Sequence, residues 1–275
     1  MNTVAVTSEG TTAGSDRLEP RVAPLLPMLL AQTRAQALSL WRMPALGATG
    51  LLMPLMLFVF FVLPHAHDPW QGSVSLGAYM LASMGAFAVG SVMVFDFGVT
   101  VALDRGQKVD LLMRAAPLPG WVFLLARIVS ALLFAVVALA MLFAVALLMG
   151  GIQLEPATWL NLAGRLLLGA LPFIVLGFAV AYLAGPNAAP AVANLLFIGM
   201  AFASGMLVRL DQMPDFLRAV APYLPTYHFA QFAWGAIGAG DEDTLVSGAW
   251  LLAWAVGLFA VAAFAYRREA RRKFA

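Results

Sequence analysis

The residues of this chain that could do chemistry are few and far apart. Four ionisable side chains stand within or beside long apolar runs: Asp96, Arg127, Arg165 and His228. No two of them have the spacing of metal ligands or of an acid–base pair. The sequence has no cysteine, which excludes disulfides, thiolate metal sites and a cysteine nucleophile. We therefore predict no catalytic residue, no metal site and no cofactor held by this chain.

One further polar cluster lies at the end of the first apolar run, where His65, His67 and Asp68 form a His-x-His-Asp pattern. A solvated loop is the favoured interpretation of this cluster. Asp96 is the one acid within an apolar run, and we expect it at a helix end, reaching towards water.

The chain has no means of using ATP by itself. A phosphate-binding P-loop needs lysine after glycine, but Lys108 follows Gln107 and Lys273 follows Arg272. The centres of the apolar runs also lack the acidic groups that ion-coupled carriers keep at mid-bilayer. Any energy source is therefore expected on another chain.

Composition places most of the chain in lipid. Apolar residues make up 62% of the 275 positions and charged residues 11%, against about 25% charged in soluble domains. Uncharged runs long enough to cross a bilayer occupy residues 46–63, 71–95, 128–154, 166–208 and 244–266. The fourth run is broken by the turn signal Gly185-Pro186-Asn187. We predict an all-α polytopic membrane protein with six transmembrane helices.

Basic residues set the orientation. All but three of the 16 lysines and arginines fall before the first span, between the second and third, or after the sixth. By the positive-inside rule both termini are cytoplasmic. Fourteen arginines against two lysines indicate a GC-rich bacterial genome, and the predicted location is the bacterial inner membrane. Residues 1–23 are expected to be a disordered leader, 24–266 the transmembrane domain, with an interfacial helix at its start, and 267–275 a basic tail.

Residues 213–237 are apolar but interrupted by Pro214, Pro222 and Pro225. A seventh span here would place the basic tail outside, against the charge rule. We interpret the segment as a re-entrant helical hairpin dipping in from the outer face between spans five and six. A helix lying flat on that face is the alternative.

The loop between spans two and three predicts a short amphipathic helix over residues 104–117. Val109, Leu112 and Met113 form an apolar stripe, Asp104 and Arg105 face water, and Pro117 ends the helix. The stripe could dock on a partner or simply pack on the membrane.

Three ordered segments resemble the membrane subunits of the ABC type-2 exporter family, and daunorubicin-resistance-type drug permeases in particular. They are Arg42-Met43-Pro44 with Pro54; Asp104-Arg105-Gly106 through Asp110, Leu112 and Pro117; and Ser204-Gly205 through Met213-Pro214-Asp215 to Pro225. The resemblance implies a permease that pairs with a second copy or a paralogue in the bilayer. It also implies two copies of an ATPase subunit, which would hold ATP and magnesium and dock on residues 104–117.

The resemblance further implies outward movement of a hydrophobic cargo, and no nucleic acid is expected among the partners. We predict that an apolar face of the hairpin shapes the cargo exit, formed by Phe216, Tyr223, Tyr227 and Phe229. Packing of this face against spans five and six is the alternative. The rival class of function is an integral membrane enzyme or a non-transporting assembly subunit.

Overall fold

The computed structural model describes residues 25–42, 52–72, 74–107 and 120–273. Ten helices and one strand pair are described in these ranges, apart from short 3-10 turns. In chain order they are α1 (Leu25–Arg42), α2 (Leu52–His65), β1 (Pro69–Gln71), β2 (Val74–Ser75), α3 (Leu76–Gly106), α4 (Gly120–Leu148), α5 (Pro156–Leu168), α6 (Leu171–Leu183), α7 (Ala189–Ala203), α8 (Asp215–Val220), α9 (Pro225–Trp234) and α10 (Thr244–Lys273).

Four helical stretches are long and apolar enough to cross a membrane: Leu76–Gly106, Val122–Leu148, Pro156–Leu183 and Thr244–Arg268. Two shorter apolar helices, α2 and α7, accompany them. The prediction of an all-α membrane protein is thus confirmed.

The predicted break in the long fourth run is also present. Helix α6 ends at Leu183, and the Gly185 carbonyl accepts hydrogen bonds from the amides of Ala188 and Ala189, where α7 begins. We call the end of the bundle that carries this turn the turn end. The opposite end carries residues 205–243, which we call the cap segment, and is named the cap end.

Helix α3 is longer than the sequence suggested. The second apolar run stops at Phe95, yet α3 continues to Gly106. Its middle part, Val92–Val99, is a π-helix between two α-helical parts. Asp96 therefore lies inside a continuous helix and not at its end, because the hydrogen-bonded helix extends past the apolar run. Asp104, Arg105 and Gly106 likewise form the last turn of α3.

Helix α3 is the centre of the bundle and α10 its periphery. In their spanning windows 89% of α3 is buried inside the protein but only 17% of α10. Aromatic rings fill the space around α3: Phe87, Phe173, Phe197 and Phe229 are fully buried and contact one another in a chain. Gly90 admits this cluster, because a Cβ there would lie 2.7 Å from the Phe197 ring.

Two further features lie in the first third of the chain. The N-terminal helix predicted before span one is present as α1, and it packs along α4, where the Ser130 hydroxyl donates to the Thr33 carbonyl. The strand pair β1–β2, joined by Gly72 at φ +57°, was not predicted, because strands of three and two residues leave no periodic pattern.

Candidate functional site

The last turn of α3 is fastened to its neighbours at the turn end. The Asp104 carboxylate forms an ion pair with the Arg127 guanidinium on α4. The Arg105 guanidinium donates to the Ala181 carbonyl on α6 and lies 4.4 Å from the centre of the Tyr182 ring. These contacts tie α3 to two other helices through its charged residues.

The same turn reaches two more elements. The Tyr182 ring meets the Tyr266 ring of α10 edge to face at 5.4 Å. Gly106 faces Pro186 in the α6–α7 turn so closely that a Cβ would lie 2.8 Å from the proline Cβ. We call Asp104, Arg105 and Gly106 the anchor turn, because a displacement of it must move α4, α6 and the α6–α7 turn as well.

The anchor turn contains three of the eight residues predicted to couple the chain to an ATPase. The others, Val109, Asp110, Leu112, Met113 and Pro117, lie outside the described residues. Sequence reasoning placed Asp104 and Arg105 in water on a separate helix. The structure places them in the helix that runs through the core, where their side chains are half-buried.

Above the anchor turn, the backbones of α3 and α6 touch. A Cβ on Gly98 would lie 2.5 Å from the Gly177 Cα, and a Cβ on Gly177 would lie 2.8 Å from the Met93 carbonyl oxygen. This contact falls in the π-helical part of α3, a form that occurs mostly as short insertions, frequently at functional sites. Glycine at both positions is what permits the approach.

Asp96 belongs to this π-helical part and is 3% exposed. Neither of its carboxylate oxygens has a hydrogen-bond partner among the described residues. Burying an unpaired carboxyl costs free energy, so we expect Asp96 to lower the free energy of unfolding of the bundle.

The four residues predicted for a cargo exit do not share one surface. Phe216 on α8 and Tyr223 are largely exposed, and Tyr227 on α9 is half-buried. Phe229 is fully buried, with its ring against Gly169 and 5.1 Å from the Phe173 ring. Of the four, Phe216 and Tyr223 are therefore the side chains most open to a ligand. Burial raises the pKa of the Tyr227 hydroxyl, which accepts a hydrogen bond from Gln231.

The cap segment is held by a buried histidine that sequence reasoning left unassigned. His228 Nε2 lies 2.8 Å from the Pro222 carbonyl oxygen, and Nδ1 lies 2.9 Å from Glu242 Oε2. The carbonyl can only accept, so Nε2 carries a hydrogen. Ser247 also donates to Glu242, and the imidazole stacks on Trp250 at 4.9 Å. The pattern His228…Glu242 is too widely spaced for the sequence to connect them.

A stack of rings forms the rest of the cap end. The Arg209 guanidinium lies 4.3 Å from the Trp70 ring, Trp70 stacks on Tyr79, and Tyr79 stacks on Trp234. The Trp234 indole donates to the Ser83 hydroxyl. The stack joins Arg209, strand β1, α3 and α9.

The His-x-His-Asp cluster is exposed, in agreement with a solvated loop. Within the described ranges, no three histidine, cysteine or acidic residues are grouped as metal ligands would be.

The apolar bundle, with its buried central helix and most of its polar groups at its two ends, has the architecture of a multi-pass membrane protein. The sequence profile of the ABC-2 type transporter family matches residues 28–235. The chain belongs to that family, as the ordered motifs indicated. It is also similar to the Bacillus subtilis (strain 168) protein named "Putative transport permease YvfS", with 28% identity over 193 residues, which are 70% of this chain and 78% of that protein.

Proposed function

We propose that this chain is the permease subunit of an ATP-binding cassette exporter that moves a hydrophobic or amphipathic cargo out of the cytoplasm. Separate ATPase subunits supply the energy, and a second permease completes the pathway. The observation that carries the proposal is the anchor turn. It directly precedes residues 107–119 and is bonded to α4 and α6. A force applied to residues 107–119 would therefore be transmitted to the helices of the bundle.

The contacts between helices support six crossings, which bring both termini to the same side of the membrane. Successive apolar helices α2, α3, α4, α5–α6, α7 and α10 alternate in direction between the two ends. Phe143 of α4 meets Trp159 of α5 at the cap end, for example, and Tyr182 of α6 meets Tyr266 of α10 at the turn end. In the proposed orientation the turn end is cytoplasmic and the cap end is outside.

The depth of the cap segment supports the re-entrant hairpin. The Tyr223 carbonyl accepts a hydrogen bond from Trp254, ten residues into α10, or about 15 Å along a helix. At the other end of α9, Trp234 reaches Ser83 near the start of α3. The chain thus descends through α8 and returns outward through α9, without crossing.

The cargo exit is proposed at Phe216 and Tyr223, the exposed aromatic residues of this hairpin, with Tyr227 beside them. Replacing Tyr227 with alanine should change the range of cargo exported at an unchanged level of protein. Loss of folded protein would favour the alternative that these rings only pack against neighbouring helices.

The coupling proposal is tested by expressing the chain with its ATPase and measuring copurification and export together. Leu112→Asp places a charge in the apolar stripe of residues 104–117. Burying an apolar side chain of this size contributes roughly 1.5–3 kcal/mol to an interface, and the aspartate loses that contribution to docking. The variant should therefore insert and dimerise but fail to export. Normal export by this variant, still copurifying with the ATPase, would overturn the docking role of the loop.

A further inference from the structure

We infer that a groove between α5–α6, α9 and α10 is a binding site for a phospholipid, with one acyl chain in the groove and the headgroup phosphate on Arg165. The groove has a volume of about 210 Å³. Its walls are entirely apolar side chains and glycines: Leu168, Gly169, Leu171, Pro172, Phe232, Gly248, Leu251 and Leu252.

The groove exists because a helix breaks there. Helix α5 ends at Leu168 and α6 begins at Leu171, with Pro172 in its first turn. The Phe229 ring occupies the inner side of the break against Gly169, so the opening is on the outer side. Leu168 and Leu252 are more than half exposed at its rim, where the surrounding solvent is hydrocarbon.

Arg165 lies one helical turn above the groove. Its backbone carbonyl accepts a hydrogen bond from the amide of Gly169, which lines the groove. Its guanidinium donates to the Asn161 side chain, the Phe232 carbonyl and the Thr244 hydroxyl. These bonds use Nε and both hydrogens of Nη1. The two hydrogens of Nη2 have no acceptor among the described residues and are free for a ligand.

The charge on Arg165 is uncompensated, unlike that of the other arginines at the cap end. Arg209 pairs with Asp211, and Arg218 pairs with Asp215. No carboxylate in the described part of the chain lies within ion-pair distance of Arg165. A guanidinium fixed by neutral acceptors, with a free edge, suits a phosphate oxygen.

The cation and the groove form one site at the depth a phospholipid requires. Thr244 is the first residue of α10 and follows Asp241, Glu242 and Asp243, which belong at the water boundary and not in hydrocarbon. Arg165 bonds to Thr244 and is therefore level with the headgroups. Gly248 and Leu251 or Leu252 follow at one and two turns below, on the same face of α10.

Phe232 links the two halves of the site. Its carbonyl accepts from Arg165, its ring lies 5.4 Å from the guanidinium carbon, and the residue also lines the groove. The exposed Asp243 nearby favours a headgroup that adds an ammonium to the phosphate.

Native mass spectrometry of the purified protein in detergent tests the inference with two probes of identical acyl chains, phosphatidylethanolamine and diacylglycerol. The wild type should retain the phospholipid roughly tenfold better, the size of one charge-assisted hydrogen bond. Arg165→Gln should reduce phospholipid retention to the level of diacylglycerol.

A second variant guards against a folding defect in Arg165→Gln, which also loses bonds to Phe232 and Thr244. Gly248→Leu places a side chain in the groove, where its Cβ would meet only the Phe232 ring at 3.7 Å. It should lower retention of both lipids. The matched control is Gly257→Leu on the same helix, where nothing lies within 4 Å. Equal retention of the two lipids by the wild type, or undiminished phospholipid retention by Gly248→Leu, would overturn the site.

Discussion

Asp104 and Arg127 form an ion pair that joins the last turn of α3 to the beginning of α4. The side chains are 33% and 13% exposed, so the pair is screened less than a surface pair and more than a buried one. It links two helices of the turn end through opposite charges, and it adjoins the residues proposed to receive the ATPase.

The energy of this pair is measurable by a double-mutant cycle with Asp104→Asn and Arg127→Gln. We expect each single variant to lower the free energy of unfolding, and the double variant to lose about 1 kcal/mol less than the sum of the two. Thermal unfolding in detergent gives the values. Strict additivity would mean that the two side chains do not interact in solution.

Asp96→Asn should stabilise the protein. The carboxyl is buried in the π-helical part of α3, where neither oxygen is bonded to any residue that the structure describes, and the amide keeps its shape without an ionisable group. The amide is itself unpaired there, so only the cost of burying an ionisable group is removed; the expected gain is about 1 kcal/mol in the free energy of unfolding, measured as a rise in Tm at neutral pH. A variant less stable than the wild type would show that the carboxylate has a favourable partner.

The features set by local composition could be predicted from the sequence. Apolar runs fixed the membrane class, and Gly185-Pro186-Asn187 fixed the turn between α6 and α7, because each is a property of neighbouring residues. The end of α3 could not be fixed in this way. Asp96 ends the uncharged run at Phe95, but the helix continues to Gly106, where Asp104 and Arg105 have partners on α4 and α6.

The candidate site shows the same division. Asp104, Arg105 and Gly106 could be singled out by a family motif, but their attachment to Arg127, Ala181 and Pro186 depends on contacts across the fold. His228 could be seen in the sequence only as a lone ionisable residue. Its partners Pro222, Glu242 and Trp250 come together through the folding of the cap segment.

His228→Ala tests how much the buried histidine contributes to holding the cap segment. The variant loses the hydrogen bonds to Pro222 and Glu242, the stacking on Trp250 and the volume of the ring. We expect a loss of about 2–4 kcal/mol in the free energy of unfolding. His65→Ala is the control, because His65 is exposed and its loss should change stability by less than about 0.5 kcal/mol. Similar small effects from both variants would contradict a structural role for His228.

Glycine-to-alanine substitution should lower stability at the contact between α3 and α6 and raise it at an open position on α7. Gly98→Ala would place a Cβ 2.5 Å from the Gly177 Cα, so two backbones must separate, at a cost of about 1–3 kcal/mol. Gly199→Ala on α7 meets nothing within 4 Å and should stabilise its helix by about 0.5–1 kcal/mol. Unfolding temperatures of the two variants check the signs. A stable Gly98→Ala protein would show that the helices are not in backbone contact.

Cysteine labelling tests the proposed crossings, and the absence of native cysteine makes every introduced thiol unique. Asp211 and Asp241 are exposed on either side of the proposed hairpin, and Asn187 is exposed in the α6–α7 turn. If α8 and α9 enter and leave by the same face, single cysteines at 211 and 241 both react with an impermeant thiol reagent in intact cells. The cysteine at 187 is then protected until the cells are lysed, because an odd number of crossings separates it from both.

Labelling of 211 without 241 would mean that the cap segment crosses the membrane, and the basic end of α10 would then lie outside. Labelling of 187 in intact cells, with 211 and 241 protected, would keep the hairpin and reverse the orientation, so the three positions together distinguish the depth of the cap segment from the direction of the bundle.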